Sequence, residues 1–213
     1  MTVSIVVPVK RLTEGKSRLT SALTAAARRD LCVWMLVRTL RTLSRLQNVV
    51  VVSDDPQAGE IASTFDNVRF LFDRGSRELN GAVSTARDVI AGGALMIVPT
   101  DLVWLDLGVL TTFLKIRGTI HLAGDLANDG TNLLFLPERA ARDFAFSFGP
   151  GSLIRHSAEA RRLGFSSRIF RSRATAADLD NPADLSAARA IIPASIFSQS
   201  TPLRKGVEAI YVE

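Results

Sequence analysis

Short apolar runs recur along the chain, separated by longer segments of mixed polarity. Residues 3–7, 49–52, 68–72, 94–98, 119–123, 133–136 and 167–170 are brief stretches in which Val, Ile, Leu, Ala and Phe predominate. Their length and β-branched content predict strands, most of them covered on both faces. Between them, residues 24–46, 57–65, 82–91, 105–116, 137–145, 153–163 and 183–192 predict helices. In the first of these, Val33, Leu36, Leu40 and Leu43 fall on one helical stripe, which Trp34 and Met35 widen. Asp54-Asp55-Pro56 is a capping signal for 57–65, and Gly92-Gly93 ends 82–91. Strands alternating with helices predict an α/β fold around a mainly parallel central sheet, with 3–7 as its central strand. No linker-like stretch interrupts the alternation, so residues 1–192 read as one domain. Residues 193–213 form a tail of mixed polarity. Within it, 207–212 reads as an added edge strand or a subunit contact, and so raises the expectation of a homodimer.

Composition narrows this picture. Nearly half of the 213 residues are hydrophobic (47%), enough for a substantial core. Lys and Arg number 26 against 21 Asp and Glu, a net charge of +5. That modest excess suits an anionic small ligand. No block of like charge resembles a nucleic-acid tail, and the few aromatic residues fall mostly in core positions, so no nucleic-acid partner is expected. The single cysteine, Cys32, lies in a helical apolar pattern and reads as a core residue. One cysteine supports no intramolecular disulfide and fits a reducing, cytoplasmic setting. No apolar run approaches the ~18–20 residues that a membrane span needs.

Polar segments collect where the predicted strands end. After the first strand comes Lys10-Arg11-Leu12-Thr13-Glu14-Gly15-Lys16-Ser17-Arg18, four cations in nine positions. Such a cluster suits phosphate oxygens, although the spacing is not that of a P-loop. The strand at 94–98 ends in Pro99-Thr100-Asp101. A carboxylate at a strand's C-terminal end stands where open α/β sheets place their chemistry, and it is equally a helix cap. Asp178 and Asp180 face one way if that segment is extended. Gly149-Pro150-Gly151-Ser152 before a helix offers backbone N–H groups and a hydroxyl to an anion. Asn128 to Asn132 adds further donors. His156, one turn into a helix, and His121, within a strand, read as packed residues. Two carboxylates far apart in sequence, a cationic loop and no zinc spacing point to Mg²⁺ with a nucleoside triphosphate.

Taken together in order, Val-Pro-Val-Lys with Lys-Ser-Arg-Leu (7–19), Leu-Asn-Gly-Ala (79–82), Pro-Thr-Asp-Leu (99–102), Asp-Gly-Thr-Asn (129–132), Phe-Gly-Pro-Gly-Ser with His156 (148–156) and Asp-Leu-Asp-Asn-Pro-Ala-Asp-Leu (178–185) resemble one family. It is the 2-phospholactate/phosphoenolpyruvate guanylyltransferases of deazaflavin coenzyme F-420 biosynthesis. The resemblance implies a single-domain, glycosyltransferase-A-like nucleotidyltransferase fold. It implies joining of GMP from GTP to a phosphorylated three-carbon acid, with release of pyrophosphate. By the motif matches, Lys10, Lys16 and Arg18 hold the triphosphate, and Leu79, Asn80 and Gly81 select guanine. Asp101 and Asp180 hold Mg²⁺, and Thr131, Gly149 and Ser152 bind the acid, with Lys16, Asp101 and Asp180 carrying catalysis. The family's usual proline two positions after the first aspartate is absent. Val103-Trp104 stand there instead, which bears on the choice of acid. Two other readings remain: a sugar or molybdenum-cofactor nucleotidyltransferase, or a glycosyltransferase, of the same fold; and a non-catalytic nucleotide-binding protein.

Overall fold

A computed structural model describes residues 3–46, 48–74, 78–90, 92–115 and 118–198. The proposed strand at 207–212 lies outside the described residues. Seven strands form one sheet in the order β3-β2-β1-β4-β6-β5-β7. They are β1 (Val3–Pro8), β2 (Val49–Ser53), β3 (Val68–Phe72), β4 (Ala94–Ile97), β5 (Ile120–Gly124), β6 (Thr131–Leu136) and β7 (Ser167–Phe170). Strands β1 to β4 pair in parallel, and β5 pairs in parallel with β7. Strand β6 alone runs the other way, antiparallel to both β4 and β5. The mainly parallel sheet is therefore as expected, with one reversal that the apolar pattern does not encode.

Side-chain alternation along the strands divides the core in two. On one face, Ile5, Val7, Val49, Val51, Met96 and Val98 pack against α1 (Ala25–Leu43), α2 (Pro56–Ser63) and α4 (Leu107–Lys115). On the other, Val6, Leu95, Ile97, Leu134 and Leu136 pack against α3 (Leu79–Val89), α5 (Glu138–Ala141) and α6 (Ser152–Arg162). Helices on both faces explain why the strands read as continuous apolar runs. The long helix α1 starts on Thr24, whose hydroxyl accepts from the Ala27 N–H. Its buried stripe runs through Leu31, Met35, Leu36, Leu40 and Leu43, while Val33 and Trp34 are only partly buried.

Three boundaries differ from the pattern. Helix α3 begins at Leu79, so Asn80 and Gly81 belong to its first turn. The segment 137–145 is helical only over the single turn of α5, after which residues 144–148 run as irregular chain. An unforeseen turn of helix, α7 (Arg173–Ala176), precedes the aspartate segment, and α8 (Pro182–Ala187) stops short of Ile192. A last helix, α9 (Ala194–Ser198), continues from the predicted domain boundary and buries Ile196 in the core against α1. No described helix is long and apolar enough to cross a membrane.

Candidate active site

Strands β2 and β4 flank β1, and the chain leaves β1 towards one neighbour and reaches the other only later. The C-terminal edge at such a reversal is where an open α/β sheet leaves a crevice. Here a cleft of about 440 Å³ lies at that edge. It is lined by the β1–α1 loop, the ends of β2 and β4, the start of α3, and Asp180.

The loop after β1 is held from both sides. Asp55, the N-cap of α2, accepts from the Gln57 N–H through one carboxylate oxygen and from the Leu12 N–H, at 2.8 Å, through the other. Leu12 and Leu19 are buried, so the cationic loop is strapped between two apolar anchors. Asp54 pairs with Arg11. At position 15 a Cβ would lie 2.5 Å from the Cys32 Sγ, so any larger residue there would force the cysteine side chain or the loop to shift. Burial pushes the Cys32 thiol up to about 11, against the pull of Lys16 and Arg28, so it is an inert wall rather than a nucleophile.

Lys16 is the centre of the site. Its Nζ donates to the Asp101 Oδ2 at 2.8 Å and lies 3.6 Å from the Asp180 Oδ1. Burial alone would depress the Lys16 pKa, but the charge and hydrogen bond of Asp101, with the charge of Asp180, outweigh it and raise the pKa. Arg18 pairs with the other oxygen of Asp180. Asp101 is delivered by β4 and fixed by its backbone, whose carbonyl accepts from the Val103 and Leu179 N–H groups. Asp180 is fixed by the capping box of α8, in which the Asp184 side chain accepts from the N–H groups of Asp180 and Asn181. Between the two bonded segments, Asp178 has its pKa raised by burial and then by the Asp101 charge.

The chemistry of this donor set fits Mg²⁺. Two carboxylates, each about a quarter to a third exposed (25% and 31%), already bracket one cationic centre, the Lys16 ammonium. Among the described residues no three His, Cys, Asp or Glu side chains form a metal cluster. A site with one or two carboxylates, completed by phosphate oxygens and water, is what Mg²⁺ takes, whereas zinc asks for more protein ligands.

A second polar centre adjoins the first. Ile97 of β4 pairs with Leu134 of β6. Because β6 is reversed, its first residue, Thr131, lies at the same sheet edge as Asp101. The turn 147–151 leads from there into α6. Its polar groups are almost all spent: Ser147 N–H on the His156 Nε2, the Ser147 and Pro150 carbonyls on Arg155, Phe148 on Asn80, and Gly151 N–H on the Asp129 carboxylate. The Gly149 N–H is different, having no acceptor among the described residues, and Gly149 itself is at φ 119. The Ser152 Oγ is fully buried and also lacks a partner. His156 Nε2 accepts, so the ring proton is on Nδ1 and donates to the Thr131 Oγ1 at 3.0 Å. That leaves the Thr131 hydroxyl proton unspent. Three donors, two of them hydroxyls, thus lie around the N-terminus of an 11-residue helix, an end that favours an anion.

His156 is the residue that sequence reasoning undervalued. It is fully buried between the Phe144 and Phe148 rings, and burial lowers its pKa to about 4. A histidine held neutral in the fold stabilises it fully above the unfolded pKa, and that contribution is lost as pH falls towards 4. Between pH 6.5 and about 4, the stability lost through this one group is on the order of 3 kcal/mol. His156→Gln should therefore flatten the acid limb of a stability–pH curve measured by urea unfolding. An identical slope in the two proteins would refute the assignment.

Of the residues named from sequence, Lys10, Lys16, Arg18, Leu79, Asp101 and Asp180 all line the cleft. Asn80 and Gly81 are behind it, in the α3 turn. Thr131, Gly149 and Ser152 sit around the start of α6 and not on the cleft wall. Val103 is buried in the core, and Trp104 stacks under the Arg173 guanidinium at 5.0 Å. Neither side chain lines the cleft.

A family model described as "Guanylyl transferase CofC like" matches residues 3–192. The chain belongs to this CofC-like family. A protein named phosphoenolpyruvate guanylyltransferase from Roseiflexus castenholzii is 38% identical over 84% of each chain. A 2-phospho-L-lactate guanylyltransferase from Methanothermobacter thermautotrophicus is 30% identical over 84% of this CofC-like chain and 81% of its own. Among solved structures, a nucleotidyl transferase from Methanothermobacter thermautotrophicus matches with a TM-score of 0.64 at 14% identity, over 89% of this chain and 96% of the other. A 4-diphosphocytidyl-2C-methyl-D-erythritol synthase from Anaerococcus prevotii matches with a TM-score of 0.62 at 10% identity, over 89% and 97%. At that identity the two structures speak for the nucleotidyltransferase fold of the CofC-like chain.

Proposed function

We propose that this CofC-like protein is a guanylyltransferase that joins GMP from GTP to a phosphorylated three-carbon acid. Phosphoenolpyruvate, 2-phospholactate and a 3-phosphoglycerate-like acid are the candidate acceptors, and coenzyme F-420 biosynthesis is the setting that the family implies. The observation that carries this reading is Lys16, held between Asp101 and Asp180 in the cleft at the C-terminal sheet edge, with an unspent set of donors at the same edge. The relatives' names supply the nucleotide and the acids.

Lys10, Lys16 and Arg18 take the triphosphate oxygens. The first turn of α3, through Leu79 and Ala82 on the cleft wall, faces the base. Thr131, Gly149 and Ser152 take the anionic groups of the acid. An oxygen of the acceptor phosphate attacks the α-phosphorus of GTP, the bond from that phosphorus to the β-phosphate oxygen breaks, and pyrophosphate leaves. The acceptor is already an anion, so no general base is needed. Catalysis then rests on alignment and on neutralising charge, tasks suited to a fixed ammonium and guanidinium. Asp101 and Asp180 are the residues that would hold Mg²⁺, which when bound would clamp phosphate oxygens and offset their charge. The single buried Cys32 fits a reducing cytoplasm.

The test is pyrophosphate release with GTP or ATP as donor across the three acids and a sugar 1-phosphate. Release with GTP and at least one acid is expected. Turnover with the sugar phosphate alone would overturn the reading.

A further inference from the structure

Asn80 occupies a position that its motif does not explain. The Leu-Asn-Gly-Ala motif suggests a contact with the nucleotide. The side chain instead makes a two-way bond with a residue 68 positions away: Oδ1 accepts from the Phe148 N–H at 2.7 Å, and Nδ2 donates to the Phe148 carbonyl at 3.2 Å. The two backbone groups fix the orientation of the amide, because one needs an acceptor and the other a donor. Seven residues further along α3, on the same face, the Arg87 Nη1 donates to the Phe144 carbonyl at 2.9 Å, and its guanidinium lies 5.5 Å from the centre of the Phe146 ring. Segment 144–148 is therefore laid along α3 and clamped at both ends. Immediately after the Asn80 clamp come Gly149, whose N–H has no acceptor among the described residues, and Ser152, whose buried hydroxyl has no partner among them.

We propose that Asn80 is a positioning residue for the acid rather than a ligand of the base. From the first turn of α3 it fixes the Phe148 backbone, and so fixes where the Gly149 N–H and Ser152 hydroxyl point. The same turn places Leu79 and Ala82 on the wall of the nucleotide cleft. Asn80 thus makes the nucleotide wall and the acceptor turn one rigid piece, and sets the distance between the two reactants. A buried Thr131–His156–Ser147 relay secures the turn from its other side.

This inference rests on the guanylyl-transfer reading for the identity of the ligands. Its test uses Asn80→Asp and Asn80→Ala. Aspartate is nearly isosteric and still accepts from the Phe148 N–H, but it turns an oxygen towards the Phe148 carbonyl in place of the donor. Both variants should raise KM for the acid ~10–100-fold, the cost of a misplaced partner, while KM for GTP stays as in wild type. Calorimetric titration with GTP alone and with phosphoenolpyruvate alone should show the same split without turnover. A weakened GTP affinity with an unchanged acid KM would overturn the proposal and return Asn80 to the nucleotide. A lower melting temperature with both KM values unchanged would also overturn it, leaving only a structural clamp. Wild-type protein that binds phosphoenolpyruvate but transfers no guanylyl group would sink the functional reading and leave the binding split to decide on Asn80. Wild type that binds no acid would overturn both.

Discussion

Asp101→Asn should reduce guanylyl transfer by about 10²–10³-fold, the scale on which a fixed electrostatic contact at a reacting centre acts. The substitution keeps the shape of the side chain and removes its charge. What holds the segment in place is the backbone: the Asp101 carbonyl accepts from Val103 and Leu179, Val103 is buried, and the Arg38 Nε donates to the Val103 carbonyl at 2.7 Å. None of these contacts involves the carboxylate, so the chain should still fold and bury the same core. Lys16, only 10% exposed at its side chain, would lose the negative charge of its 2.8 Å partner and keep only the Asp180 carboxylate. Pyrophosphate release and a thermal melt, measured on the same preparation, separate the two effects. A folded variant with wild-type turnover would remove Asp101 from the reaction.

Lys16→Met is the converse change, with an expected loss of about 10²-fold or more. Methionine keeps the apolar stem against the cleft floor and deletes the ammonium. Asp101 is then left without its cation, and Asp180 keeps only the exposed Arg18. Because Asp101 has lost its cationic partner and Asp180 one of its two, added Mg²⁺ should raise the melting temperature of this variant more than that of wild type. An equal shift in the two proteins would argue against a metal between these carboxylates. The raised pKa of Lys16 has a further consequence. Its contribution to stability is fully present below the ordinary lysine pKa and is lost only as pH rises through the higher folded value. From neutral to mildly alkaline pH, wild-type activity should therefore show no limb from Lys16.

What the sequence made readable was whatever is local. Strands β1, β2 and β4 are uninterrupted buried runs, and their bounds match within a residue or so. Asp55 declared its capping role through the proline that follows it. The cationic loop and Asp101 could be placed at strand ends because strand ends are local too. The reversal of β6 was not readable. Leu133 to Leu136 is as apolar as a parallel strand would be, and direction is decided by pairing with β4 and β5. Asp180 is opposite Asp101 because of a capping box and a backbone bond to Leu179, neither of which shows in periodicity. His156 looks like any packed histidine until both of its ring nitrogens are traced. Asn80 matched its motif, yet its partner Phe148 is 68 positions away and nothing near it in the chain announces the contact.

The ion pair of Arg18 with Asp180 joins residues 162 positions apart. A ribosome would expose the cationic loop early and the second carboxylate almost last. The segment that brings Asp180 also carries Leu179, Leu185, Ala188 and Ile192, all buried in the core that covers α1. Closing the apolar core and completing the polar site are thus one event, not two. A nascent or clipped chain ending before residue 177 would contain all seven strands and still lack both. Its exposed apolar face would offer chaperones and proteases a recognition mark, and the same missing segment would keep it from consuming nucleotide.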